Sequence, residues 1–282
     1  MIAGVPVQRV DAFEPTVGSA VNVGIINLEL DILDERLRFC IGVVDERVRL
    51  ADIVPLARTI SARIADIVIA RNRRDGIDIV CRKGCAHCCS HLAPLAVPEV
   101  FRLKEYIYSR PRDLRDAMLR LCLLAARDIL AEEPPEFFAL PTPPDSIDGL
   151  AFLSDLSRWY VSLGVCCPFL SENICTIYEN RPLACRDYFV HGGSSVCANA
   201  DVATEPVKMP VPMVEVLGQL AGEFEENEVE AVILPLTPVW CEQNVDRGQR
   251  TWSAKTMAGR FVEIVKARAT ENSVQPALSS QV

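Results

Sequence analysis

Residues 81–91 read CRKGCAHCCSH, and residues 166–197 read CCPFLSENICTIYENRPLACRDYFVHGGSSVC. The first run holds Cys81, Cys85, Cys88 and Cys89; the second holds Cys166, Cys167, Cys175, Cys185 and Cys197. Nine of the 12 cysteines therefore fall in two short segments. Thiolates two and three residues apart can converge on one point, where a soft metal ion is the usual occupant. Cys85 and Cys88 form the tight Cys-x2-Cys pair, and Cys81 extends it. Neighbouring side chains in extended backbone point opposite ways. The adjacent pairs Cys88–Cys89 and Cys166–Cys167 therefore suit two metals or a polynuclear cluster, or else only one of each pair is a ligand.

All three histidines, His87, His91 and His191, lie in or beside these runs, where they can coordinate or hydrogen-bond a ligand. Arg82, Lys83, Arg181 and Arg186 interleave with the thiols. Cations so placed lower thiol pKa values and offset the charge of several thiolates around one ion. Cys40 and Cys122 lie far from both runs; Cys122 falls on the apolar stripe of a helix and reads as a core residue.

The remaining chain sets the frame. Its 282 residues, 50% hydrophobic, are enough to fill a core without help from metal. The formal charge of -9 disfavours nucleic acid as a partner. No uninterrupted apolar stretch approaches membrane-spanning length, and the N-terminus has no secretory pattern. The expectation is a cytoplasmic protein away from membranes, in a reducing compartment where clustered cysteines are ligands or redox groups rather than disulfides.

Apolar residues from Val21 to about Ile32 are followed by alternating Leu37, Phe39, Ile41 and Val43, which predicts a β-hairpin turning near Asp34–Glu35. Ile53, Leu56, Ile60, Ile64 and Ile67 keep a helical rhythm after it. Further helices are expected after Pro98 to Tyr106, after Pro111, around Ile147–Val161, through Met213–Phe224 and around Met257–Val265. Five prolines between 134 and 144 mark a linker or surface loop. The organisation expected is a flexible arm over 1–18, the hairpin over 19–50 and a cysteine-cluster metal-binding domain over 51–200. A helical segment follows over 201–269, then a disordered tail over 270–282. The fold class is mainly α with a small N-terminal β-hairpin, around an irregular cysteine-rich, metal-centred core in which the second run folds back over the first.

The run CRKGCAHCC, followed by CPFL, CTIYENRPLACRDY and a later cysteine, resembles the CxxCxxCC or YkgJ-type cysteine-cluster family, a zinc- or iron-chelating domain. The likeness covers about residues 78–200. One spacing departs from it, since Cys81 and Cys85 are separated by three residues rather than two. The resemblance implies Cys81, Cys85, Cys88, Cys89, Cys167, Cys175, Cys185 and Cys197 as metal ligands, with Cys166 outside the matched pattern. It implies zinc or iron as cofactor, with a 4Fe-4S iron–sulfur cluster as one form of the latter. Two other functions fit parts of the pattern. Similar clusters occur in flagellin lysine N-methylases, which suggests an iron–sulfur-dependent enzyme. Cys85-Ala-His-Cys88 also has the form of a thiol–disulfide redox motif. No G-x-G-x-x-G, G-x-S-x-G, H-E-x-x-H or P-loop pattern adds an enzymatic signature.

Overall fold

The computed structural model describes residues 7–13, 23–79, 81–132, 149–192 and 206–274. Strands β1 (Val7–Asp11), β2 (Val23–Ile32) and β3 (Glu35–Val44) form a sheet in the order β1-β3-β2. β2 and β3 are the expected antiparallel hairpin, with Ile32 opposite Glu35. Its two-residue loop, Leu33 and Asp34, has φ of 48° and 68°. Positive φ at both positions is the type I′ geometry that matches strand twist. Leu28, Leu30 and Ile32 on β2 and Leu37, Phe39, Ile41 and Val43 on β3 are buried, while Asn27, Glu29, Asp31 and Arg36 are exposed. This is the two-residue period of a sheet covered on one face. β1 lies inside the span read as a flexible arm, and it runs parallel to β3 with Val7 opposite Arg38 and Asp11 opposite Gly42. The unpaired backbone groups along β3 supply the reason, since each needs a hydrogen-bond partner.

After β4 (Arg47–Val48), helix α1 (Val54–Arg74) buries Leu56, Ile60, Ile64 and Ile67 on one stripe. Pro55 sits in its first turn and Arg71, Arg73 and Arg74 in its last. Proline is pre-organised at a helix start, and cations complement the C-terminal end of the dipole. The chain continues through β5 (Pro94–Ala96), α2 (Val97–Tyr108), α3 (Arg112–Leu130) and α4 (Gly149–Ser162). The hairpin β6 (Leu170–Ser171) and β7 (Ile174–Cys175) and the one-turn helix α5 (Leu183–Arg186) follow. Beyond them lie α6 (Met213–Glu225), β8 (Ala231–Ile233), α7 (Thr237–Gln243), α8 (Val245–Gln249), β9 (Trp252–Ser253) and α9 (Ala254–Val274). β4 pairs with β9 and β5 with β8, so segments far apart in sequence are tied together by short ladders.

The molecule is mostly helical, and its centre is apolar. α9 lies across β2 and β3 and against α6, while α2 packs on α6 and α7. Phe39, Ile41, Ile60, Leu103, Leu217 and Phe261 are all buried there. The structure does not show the metal-centred core expected from the sequence; Cys81, Cys167 and Cys175 are half-buried against the flank of the hydrophobic cluster. A chain this rich in apolar residues buries enough surface to fold around carbon rather than sulfur. Cys122 is fully buried among apolar side chains, as its helical position predicted. α9 runs to Val274, into the polar stretch that begins at Thr270. The proline-rich stretch 134–144, Cys197 and residues 275–282 lie outside the described residues. Among the described residues no helix is long and apolar enough to cross a membrane.

One ionic network braces the C-terminal half. Arg247 on α8 binds Glu225 at 2.8 Å and Glu230 at 2.9 Å, and its guanidinium lies 4.9 Å from the Trp240 ring. Glu225 is almost fully buried, with its side chain 3% exposed. A buried carboxylate of this kind depends on its partner to offset lost hydration.

Candidate metal centre

The cysteine runs are shaped by tight turns. In the first, Cys85 N–H donates to the Arg82 carbonyl at 3.0 Å, and Gly84 has φ of 89°. Positive φ at the third position of a turn favours glycine, which accounts for the Lys83–Gly84 sequence between Cys81 and Cys85. Residues His87–Ser90 then form a single 3-10 turn. In such a turn successive side chains are about 120° apart rather than opposed. Cys88 and Cys89 can therefore both face inward, which the extended-backbone expectation for adjacent cysteines did not anticipate.

The second run folds back over the first. Cys167 N–H donates to the Cys89 carbonyl at 2.8 Å, and Gly192 N–H donates to the Asp78 carbonyl at 3.0 Å. Glu172 and Asn173, with φ of 48° and 62°, make the two-residue loop of the β6–β7 hairpin and bring Cys175 opposite Leu170. Pro182 starts α5, placing Cys185 within its one turn. α1 and α2 hold this segment from beneath. The Glu99 carboxylate on α2 accepts from Leu183 N–H at 2.8 Å, Ser61 on α1 donates to Asp187, and Arg58 donates to the Asn180 carbonyl at 3.0 Å. Arg186 donates to the carbonyls of Arg181 and Glu179, closing the loop on itself.

These turns gather Cys85, Cys88, Cys89, Cys167, Cys175 and Cys185 around one cavity of about 60 Å³. His91, Tyr160, Tyr178, Arg181, Leu234 and Pro235 complete much of its wall. Among the described cysteines no pair forms a disulfide. Cys81 is half-buried against the core and is not part of the cavity wall. Cys166 points outward into a separate surface groove beside Leu121, Leu124 and Leu163. The pair Cys166–Cys167 thus contributes one sulfur to the cavity, whereas Cys88–Cys89 contributes two. Of the histidines only His91 joins the wall; its ring meets Tyr188 edge-on at 5.7 Å. His87 is exposed.

Burial governs the chemistry of these thiols. It pushes Cys167 up to about 12 and also raises Cys175 and Cys185. Cys88 goes the other way, to about 7, because it accepts a hydrogen bond from the Cys89 thiol and feels the Arg181 charge; Cys89 rises correspondingly. His91 is lowered by burial. The cavity therefore favours protonated sulfur at most positions. A cation entering it reverses that preference, since the thiolate is the metal-binding form. As they stand, no three His, Cys, Asp or Glu side chains among the described residues form a closed ligand set.

Residues 80–203 match the family model CxxCxxCC, described as "Putative zinc- or iron-chelating domain". No curated protein and no solved structure matches the chain. The matched segment contains both cysteine runs, while the N-terminal sheet, α1 and the helices from α6 onward lie outside it. Tyr160, Leu234 and Pro235 in the cavity wall, and Glu99 and Ser61 beneath it, carried no sequence signal. Glu99 alone left a trace, since it falls beside Val100 and Leu103 on the apolar stripe of α2.

Proposed function

We propose that the protein is a zinc- or iron-binding protein in which Cys85, Cys88, Cys89, Cys167, Cys175 and Cys185 are the principal ligands. The observation that carries this is the convergence of six free thiols, from runs with α2, α3 and α4 between them, on one small cavity. An all-sulfur donor set fits zinc, iron or an iron–sulfur cluster, including a 4Fe-4S cluster with four thiolate ligands. Six sulfurs exceed the four that one tetrahedral ion takes, so bridging thiolates or a polynuclear centre suits the donor count. Cys81 and Cys197 are proposed to complete the set; Cys81 precedes the turn that delivers Cys85, and Cys197 completes the family pattern. When bound, zinc would lock the two loops together, and iron would add electron transfer.

Other features favour metal over thiol–disulfide exchange. Cys85 and Cys88 open no α-helix, and they share their cavity with four more thiols rather than facing solvent as an isolated pair. A cytoplasmic setting accords with this reading, because thiols persist where glutathione keeps them reduced. The deciding experiment is anaerobic purification followed by elemental analysis and an absorption spectrum. Stoichiometric zinc or iron supports the proposal; reduced, folded protein that retains neither and cannot be reloaded defeats it.

A further inference from the structure

The cavity wall holds a cation, Arg181, that no carboxylate among the described residues neutralises. The Arg181 guanidinium carbon lies 4.2 Å from the centroid of the Tyr178 ring, and Nε is buried with no hydrogen-bond partner among the described residues. A guanidinium stays charged in proteins and carries five N–H donors in a fixed fork. Leaving such a donor buried and unmet is costly, and more so for a charged group than for a neutral one. No carboxylate among the described residues forms an ion pair with Arg181. Asp187, which feels its charge, already accepts from Ser61. Lys83 Nζ lies 5.3 Å from the same Tyr178 ring, on an exposed residue next to the cavity-lining Gly84. In a chain of net charge -9, two cations sharing one tyrosine beside a cavity are a local departure from the overall field.

Space and shape complete the argument. A water needs about 10–15 Å³ of such space. The cavity, at about 60 Å³, has room for more than one such occupant. The thiols supply the soft side, and Arg181 supplies a planar donor fork that matches a carboxylate. We propose that the cavity takes a small carboxylate ligand beside the metal, gripped by the Arg181 guanidinium and drawn to the rim by Lys83. This deepens the metal-binding reading and rests on it.

The test uses the full chain, stripped of native metal and loaded with cobalt(II), with cobalt per chain measured first. Formate is titrated while the visible absorption of the bound cobalt is followed. The expected result is a saturable spectral change with formate and none with formamide, its neutral counterpart. At equal cobalt content, Arg181→Gln should weaken the formate response by about tenfold or more, with Arg181→Lys intermediate. Lys83→Gln, exposed and remote from the fold's core, should weaken it less. A cobalt-loaded wild type whose spectrum is indifferent to formate overturns the carboxylate proposal and leaves metal binding standing. An equal response to formamide overturns it too. A chain that takes up no cobalt with its thiols reduced overturns both readings.

Discussion

Glu99 is fully buried on α2; one carboxylate oxygen accepts from Leu183 N–H at 2.8 Å and the other meets no well-formed hydrogen-bond donor among the described residues. Burial pushes its carboxyl from 4.5 up to about 7, outweighing the opposing effects of the Leu183 hydrogen bond and the Arg58 charge. In the unfolded chain the group ionises near its ordinary value. Below about pH 4.5 both states hold the proton. From there to about pH 7 the folded chain keeps it while the unfolded chain has lost it, so stability falls as pH rises through this window. At about 1.4 kcal/mol per pH unit the loss due to Glu99 is about 3 kcal/mol. Glu99→Gln retains an oxygen for Leu183 N–H and cannot ionise. In urea unfolding of metal-free protein, the variant should gain on wild type by about 2–3 kcal/mol between pH 5 and pH 8. Asp187, pushed up to about 6 by burial, acts in the same direction but is present in both chains. A stability difference that is the same at both pH values would refute the reasoning, because it would mean the carboxyl is not ionising against burial.

Three further outcomes are expected. Cys85→Ser and Cys185→Ser should each lower bound metal measured by elemental analysis, whereas Cys40→Ser and Cys122→Ser should leave it unchanged; equal loss in all four would contradict the ligand assignment. Arg247→Ala strands the buried Glu225 carboxylate and should cost about 3–5 kcal/mol in urea unfolding, an outcome that a loss below about 1 kcal/mol would exclude. Chelation should lower the thermal midpoint without abolishing helical circular dichroism, because the hydrophobic core lies beside the cysteine cavity rather than around it. Complete unfolding on chelation would mean that the metal, not the apolar core, holds the fold together.

The elements that were readable in advance are those long enough to display a period. The three-four rhythm of Leu56, Ile60, Ile64 and Ile67 marks α1, and the alternation of Leu37, Phe39, Ile41 and Val43 marks β3. β1, with only VQRVD, shows no usable period; its place is set by β3, a non-local partner. The same holds for the two- and three-residue ladders β4–β9 and β5–β8. At the site, cysteine spacing announced convergence because turns of two or three residues act locally. Its one departure, three residues rather than two between Cys81 and Cys85, falls at the cysteine that stays off the cavity wall. It could not show that a 3-10 turn would aim both Cys88 and Cys89 inward. Tyr160 and Glu99 reach the site or its support through tertiary packing alone, which no local pattern encodes.

X-ray absorption at the metal edge of anaerobically purified protein addresses the thiol cavity most directly. Sulfur in the first coordination sphere, at about 2.3 Å for zinc, is the predicted result. A sphere of nitrogen and oxygen alone, or a fully reduced chain that holds no metal, would contradict it.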